Sequence, residues 1–342
     1  MAESRFLVVR LGSLGDIVHT FPAVAGLRES FPASEIVWLT HPRWQFLVES
    51  SSLASQVWTV ETRSWSSVRK TIGRVRQTEW TASIDYQGLW KSASVPFLGG
   101  VKRRIGFSSA TIRELGVPVL YTERVQCVAS HIADKNGELS LRAGARNGVA
   151  NFNLQVPPAD ETAAAEYLRG AGIDRYVILS PGGGWRSKCW PPVRFGSLCE
   201  KIRNSLGLRC IVNYGPEEND LAAAVRAASG NADPLLYDGE LGPLMALLRR
   251  ALCIVGGDTG PLHLAIALGT PVVALFGPTD PARNGPYRQR SPEMGISSED
   301  IVLRAPGVTT THRRGDQPHS SMLAIEVDEV LDAIRRRIGQ LK

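Results

Sequence analysis

Short apolar runs that stop at glycine or aspartate and give way to helical patterns recur along this chain, and they come in two series. Runs this short, with no polar face, read as buried parallel strands, and parallel strands need crossover helices between them. The first series places strands at 5–10, 35–40, 56–60, 82–85 and 103–107, with helices at about 17–29, 42–49, 66–78 and 131–143. A stretch carrying Pro157 and Pro158, residues 151–160, reads as the linker. The second series places strands at 176–180, 209–214, 251–255 and 271–276, with helices at 160–170, 191–205, about 215–228, 242–251 and 262–268. Residues 284–320 read as polar and irregular, after which Val327, Val330, Leu331, Ile334 and Ile338 recur at helical spacing. At 342 residues there is material for two domains, each with its own core. The expectation is an α/β protein of two parallel-sheet domains with a cleft between the sheets.

Composition removes several classes. No apolar stretch approaches the ~20 residues that cross a bilayer. Phe6 to Val9 is too short for a signal peptide, and Arg10 and Asp16 follow too soon. The five cysteines, Cys127, Cys189, Cys199, Cys210 and Cys253, include no C-x-x-C pair, and the six histidines lack ligand spacing. That usage fits a reducing cytosol rather than a disulfide framework or a zinc site. A net charge of +6 points to an anionic partner, or only to a basic surface. Arg63, Arg69, Lys70, Arg74 and Arg76 fall in one predicted helix with Trp65, Val68, Ile72 and Val75. Such a helix can lie at an anionic membrane, grip an acidic substrate, or simply be solvated. Nucleic acid is a weaker partner, because no recognition motif accompanies the charge.

Chemistry-bearing residues gather where strands end. Around Val255-Gly256-Gly257-Asp258-Thr259-Gly260-Pro261-Leu262-His263, a strand passes through glycines into a helix, the arrangement that aims backbone N–H groups at an anion. Pro261 suits the first helical turn and Thr259 or Asp258 can cap it; an ordinary capped turn with a half-buried His263 is the plain alternative. The loop 181–188 combines Gly182, Gly183 and Gly184 with Arg186 and Lys188, which suits a diphosphate or makes a mobile connector. Glu218 either accepts from a ribose hydroxyl or complements a helix dipole. In the first series, Gly12-Ser13-Leu14-Gly15-Asp16 is not the G-x-G-x-x-G of dinucleotide-binding folds. Asp16 is therefore either a helix-start carboxylate or a base at the edge where α/β sheets bind ligands. The stretch 85–92 lies at that same edge, and His131 reads first as a helix cap.

Taken in order, these stretches resemble one family. Asp258-Thr259-Gly260-Pro261-Leu262-His263-Leu264-Ala265, followed by Phe276-Gly277-Pro278-Thr279-Asp280-Pro281, resembles the signature of the bacterial lipopolysaccharide heptosyltransferases, glycosyltransferase family 9. The opening stretch 12–20 matches as well, and 85–93 is most similar to the heptosyltransferase I branch. The resemblance implies a GT-B fold: two Rossmann-like domains facing a central cleft, with a C-terminal helix packing back towards the N-terminal domain. The implied domains are 1–156 for acceptor, 157–320 for nucleotide sugar, and a helix over 321–342. It also implies an inverting transfer of L-glycero-D-manno-heptose from ADP-heptose to Kdo of Kdo2-lipid A, with no metal or other cofactor. The enzyme would work in the cytoplasm, peripherally on the inner membrane, with no nucleic acid and no required oligomer.

By the same resemblance Asp16 falls on the catalytic base, and Lys188 acts at the reacting diphosphate. The donor set is Gly183, Gly184, Lys188, Glu218, Asp258, Thr259, Gly260, Pro261 and His263. The acceptor set is Ser13, Gly15, Arg63, Arg69, Lys70, Gln87, Lys91 and His131. Two departures stand out: glycines at 182–184 where the first heptosyltransferase has threonines, and Pro261 where it has another residue. They leave open a second or later heptosyltransferase acting on a heptosylated acceptor. A nucleotide-sugar epimerase on the same fold, or a non-catalytic nucleotide-sugar-binding protein, also remains open.

Overall fold

The computed structural model describes residues 4–109, 114–287, 300–311 and 315–339. The chain divides into two compact units, residues 1–155 and 156–342, each built on a six-stranded parallel sheet. In the first, β1 (Arg5–Val9), β2 (Glu35–Thr40), β3 (Gln56–Thr59), β4 (Ala82–Asp85), β5 (Arg104–Phe107) and β6 (Glu123–Val125) lie in the order β3-β2-β1-β4-β5-β6. The second repeats the plan with β7 (Tyr176–Ser180), β8 (Arg209–Asn213), β9 (Leu235–Tyr237), β10 (Cys253–Gly257), β11 (Val272–Phe276) and β12 (Ile301–Arg304), ordered β12-β11-β10-β7-β8-β9. In each sheet the winding reverses once, between β1 and β4 and between β7 and β10. Open α/β sheets bind ligands at that reversal, outside the carboxyl ends of the strands.

The central strands are buried on both faces, which is why they read as unbroken apolar runs: Phe6, Leu7, Val8 and Val9 in β1, and Val272, Val273, Leu275 and Phe276 in β11, are all sealed from solvent. Val9 is in register with Asp85, and Gly256 with Ser180. The loops after each of these pairs therefore start side by side.

Four expectations change. The predicted helix over 17–29 is two helices, Leu14–Val18 and Phe21–Ser30. Pro22, which has no N–H to donate, is tolerated only in a first turn, so the chain restarts there. Helix Trp90–Leu98 was not foreseen, nor were the short edge strands β6 and β9. The stretch read as irregular contains β12, which pairs with β11. The terminal helix Val327–Gly339 packs on helix Pro192–Leu206 and on β10, β11 and β12. Its Val330, Leu331 and Ile334 complete the second unit's core. Among the described residues no helix is long and apolar enough to cross a membrane.

Candidate functional site

In the first unit, the loops after β1 and β4 are tied together. Gln87 Oε1 accepts from Leu11 N (2.8 Å), and the Tyr86 carbonyl accepts from Arg10 Nη1. Arg10 is nearly sealed from solvent, and its Nη2 reaches Asp16 Oδ1 at 2.7 Å. Asp16 Oδ2 accepts from Ser13 N (3.1 Å) and Ser13 Oγ (2.9 Å), closing a capping box at the start of helix Leu14–Val18. The Asp16 side chain nevertheless remains 45% exposed, against 7% for Arg10. The two sequence readings of Asp16 are thus compatible: the cap and the buried cation fix the carboxylate in place, and its open side faces solvent.

Asp85, the last residue of β4, is the knot beneath this loop. Its carboxylate accepts from Gln87 N (2.9 Å), Gly88 N (3.2 Å), Ser92 Oγ (2.8 Å) and Tyr121 OH (2.7 Å). Burial pushes its carboxyl above the ordinary range, against the pull of these bonds. Gly15 is buried in the first turn, Ser13 is exposed at its start, and Lys91 is exposed in the first turn of helix Trp90–Leu98. His131 caps helix Ile132–Ala143, its Nδ1 accepting from Ala133 N at 3.1 Å, as its plain reading expects. Its ring lies edge-on to His19, 5.4 Å away, at the end of Asp16's own helix.

The basic helix runs from Trp65 to Arg76, with Ser64 Oγ accepting from Ser67 N at its start. Arg63 therefore lies ahead of the helix rather than in it. Arg74 stacks on the Trp58 ring at 3.8 Å, and Arg76 Nη2 donates to the Leu98 carbonyl at 2.9 Å. Both guanidinium groups are anchored by these contacts while staying exposed. Arg63, Arg69 and Lys70 project into solvent.

In the second unit, Asp258 is the hub. Its Oδ1 lies 3.0 Å from His263 Nε2, and its Oδ2 accepts from Asn284 Nδ2 (3.3 Å) and lies 3.6 Å from Lys188 Nζ. Lys188 Nζ also donates to the Asp258 carbonyl. Burial raises the Asp258 carboxyl, but the His263 hydrogen bond, the charges of Lys188 and His263, and Asn284 outweigh it and hold the group well below the carboxylate range. Facing an ionised carboxylate, His263 Nε2 carries its hydrogen there. His263 is almost fully buried, so it meets Asp258 instead of standing ready as a base.

Thr259 occupies the cap position of helix Gly260–Ala267 without making a side-chain cap bond, and Pro261 sits in the first turn. Its Oγ1 is buried with no hydrogen-bond partner among the described residues. A Cβ on Gly183 would come within 3.2 Å of Thr259 Cγ2 and 3.0 Å of Cys189 Sγ, so a side chain there would press these neighbours back by a few tenths of an ångström. Gly184 is exposed beside it. Glu218 accepts from Gly183 N (3.1 Å) and Gly215 N (2.8 Å), tying the loops after β7 and β8 together. A Cβ at Gly182 would lie 2.2 Å from that carboxylate, so a threonine there would require Glu218 to move. Arg186 is exposed, and Lys188 Nζ lies 5.4 Å from the centre of the Trp185 ring.

The structure thus gathers Ser13, Gly15, Asp16 and Gln87 in one unit, and Gly183, Lys188, Glu218, Asp258, Thr259, Gly260 and His263 in the other. Arg10, Tyr121 and Asn284 escape sequence reading, while Asp85 is marked there only as the start of the 85–92 stretch, not as its anchor. Arg10 had the signal of a charge closing an apolar strand, whereas Asn284 ends the short helix Pro281–Asn284, whose approach to Asp258 is visible only in three dimensions. Chemically, the second-unit loops bring together a lysine, a helix start and a buried hydroxyl with no partner among the described residues, an arrangement suited to an anionic group. Among the described residues no cluster of three His, Cys, Asp or Glu is placed to hold a metal ion.

Comparison with known proteins follows this geometry. The model of glycosyltransferase family 9 (heptosyltransferase) matches residues 68–301. Lipopolysaccharide heptosyltransferase 1 of Escherichia coli K12 is 28% identical over 322 residues, covering 88% of this chain and 94% of its own. Among solved structures, a family 9 glycosyl transferase from Veillonella parvula superposes with a TM-score of 0.82 at 21% identity, over 98% of both chains. The E. coli ADP-heptose lipopolysaccharide heptosyltransferase II gives 0.81 at 18% identity, over 98% of this chain and 99% of that one. The shared architecture is the GT-B fold.

Proposed function

The chain belongs to glycosyltransferase family 9, the heptosyltransferases, and on that premise we propose that it moves heptose from ADP-heptose to Kdo of a Kdo2-lipid A acceptor, as a heptosyltransferase I. The observation that carries the donor reading is the buried Thr259 Oγ1 at a helix start, without a hydrogen-bond partner among the described residues, with Lys188 held by the same loop. A diphosphate would supply acceptor oxygens for the Thr259 hydroxyl, for the Lys188 hydrogens not given to Asp258, and for the N–H groups at the helix start. Lys188 then stabilises the charge that grows on the leaving ADP, while ionised Asp258 keeps Lys188 and His263 oriented. Glu218, at the Gly183 and Gly215 N–H groups, sets the loop that meets the ribose.

Asp16 is the base in this reading. It takes the proton from the attacking Kdo hydroxyl as that oxygen forms the bond to the anomeric carbon and the bond to ADP breaks on the opposite face. One carboxylate suffices for inversion, and no metal or other cofactor has a step. Support comes from its fixed, half-open carboxylate at the reversal point of the first sheet. Ser13, Gly15, Gln87, Lys91 and His131 flank the acceptor, and Arg63, Arg69 and Lys70 meet its phosphates and carboxylates. Support for the first heptosyltransferase over later ones rests on the 85–93 stretch and on the E. coli heptosyltransferase 1 relative. We place the reaction at the cytoplasmic face of the inner membrane.

The test is an incubation of ADP-heptose with Kdo2-lipid A and, separately, with its heptosylated product, following ADP release and lipid mass. One heptose added to Kdo2-lipid A alone supports the reading. Addition only to the heptosylated lipid makes the protein a later heptosyltransferase. Donor conversion without acceptor makes it an epimerase, and ADP binding without turnover a binding protein.

A further inference from the structure

Helix Trp90–Leu98 begins two residues after Gly88 and is apolar on both sides. Ser92, Ala93, Val95 and Pro96 are buried against the unit, while Trp90, Phe97 and Leu98 are nearly half exposed. Trp90 and Phe97, seven residues apart, lie on one stripe. The 3₁₀ turn Val117–Leu120 packs alongside, and Leu115 and Val119 there are 88% and 64% exposed. The two segments are one surface: Glu114 Oε2 accepts from Trp90 N at 2.7 Å, and a Cβ on Gly116 would touch the Trp90 ring at 3.0 Å.

Three guanidinium groups are fastened to the rim of this patch by backbone carbonyls. Arg76 Nη2 donates to Leu98 O (2.9 Å), Arg104 Nε to Leu120 O (2.7 Å) and Arg124 Nε to Pro118 O (2.9 Å). Arg104 also lies 5.3 Å from the Phe97 ring centre. Nearby Glu123 is already engaged by Arg103 and Arg142, and Lys91 and Lys102 are exposed at either end of the helix. Among the described residues, Glu114 is the carboxylate bound into the patch itself. Exposed aromatics and aliphatics rimmed by cations are the make-up of a surface that sits in an anionic lipid interface. A contiguous patch of this kind is not ordinary solvent-facing protein.

We propose that the face made by Trp90, Phe97, Leu98, Leu115 and Val119, with Arg76, Arg104 and Arg124 around it, docks the first unit on an anionic lipid leaflet. The aromatic and aliphatic side chains enter the headgroup region, and the arginines meet lipid phosphates. A second copy of the chain is a poor occupant, because a two-fold contact through this face would set the arginine rim against itself. The inference deepens the preceding reading, since a lipid-borne acceptor would then arrive beside the loop that carries Gln87, but its test does not depend on heptose transfer.

The experiment sediments the full-length protein with vesicles of phosphatidylcholine alone or mixed with phosphatidylglycerol. Wild type binds the anionic vesicles and is released by salt. Trp90→Ser with Phe97→Ser lowers the partition coefficient by about tenfold or more, and Arg124→Glu by roughly fivefold or more. Leu115→Asp, at a side chain too exposed to matter for folding, lowers it as well, while Val193→Ser, on an exposed residue of the second unit, does not. Circular dichroism and thermal melts confirm the folded state of each variant. Equal binding to neutral and anionic vesicles, patch variants that bind like wild type, or a wild-type dimer that Phe97→Ser dissociates would each overturn the proposal. Vesicle binding without heptose transfer overturns the functional reading and leaves this surface standing.

Discussion

Asp16 is held from two sides by groups that do different things. Ser13 donates to one carboxylate oxygen and so starts a helix; Arg10 meets the other from the buried side. In its proposed role as base, Asp16 is already held in place before it takes a proton, and positioned general bases typically contribute ~10²–10⁴-fold. Asp16→Ala is therefore expected to lower kcat by about that factor with the donor KM unchanged; near-normal turnover would end the assignment. Asp258 makes a different prediction, about pH. Its folded carboxyl titrates below the ordinary 3.8, so the unfolded chain binds that proton more tightly. The stability it contributes is complete above 3.8 and disappears as pH falls through the lower folded value. Asp258→Asn should melt below wild type at neutral pH, and the gap should close as melts are repeated at pH values under 3.8. A gap that stays constant into acid would show that the charge on Asp258 stabilises nothing.

The basic helix separates into two groups of cations once its neighbours are seen. Arg74 lies on the Trp58 ring and Arg76 on the Leu98 carbonyl, whereas Arg69 and Lys70 are open to solvent. Arg69→Glu with Lys70→Glu is expected to raise the acceptor KM and leave the donor KM alone. Arg74→Glu should instead cost about 0.5–2 kcal/mol of stability through the lost ring contact, read from denaturant melts. If the exposed pair leaves both constants unmoved, that face is only solvated. The same contrast explains which elements were legible in the sequence. β1, β2, β7, β8 and β11 are buried on both faces, so hydrophobic content alone marks them. Helix Trp90–Leu98 carries apolar side chains inside and out and a proline at 96, so it has no readable period. β6 and β9 are three-residue edge strands, too short to leave a pattern. The break before Pro22 was legible in principle, because a proline inside a predicted helix marks its start or its end.

Both sheets wind the same way, and the loops after β1, β4, β7 and β10 fall at the two reversal points, where the sequence already carries glycine-rich strand ends at 12–16, 181–188 and 256–260. What escaped were partners brought in by the fold: the Tyr86 carbonyl beneath Arg10, Tyr121 on Asp85, and Asn284 on Asp258. The terminal helix was legible as an amphipathic stripe, although the stripe alone does not name the strands it covers. Its burial in the second unit makes that unit's core self-contained, running from Val177 in β7 to Ile334. Residues 156–342 expressed alone should therefore melt cooperatively and bind ADP. Ending the fragment at residue 320 removes Val330, Leu331 and Ile334, all buried in that core. At ~1.5–3 kcal/mol for each buried side chain, the loss is about 5–9 kcal/mol, comparable with the roughly 5–15 kcal/mol by which a domain is stable. The shorter fragment should be unfolded or molten, with no sharp thermal transition and no ADP binding. If both fragments melted alike, the helix would be an ornament on the second unit rather than part of its core.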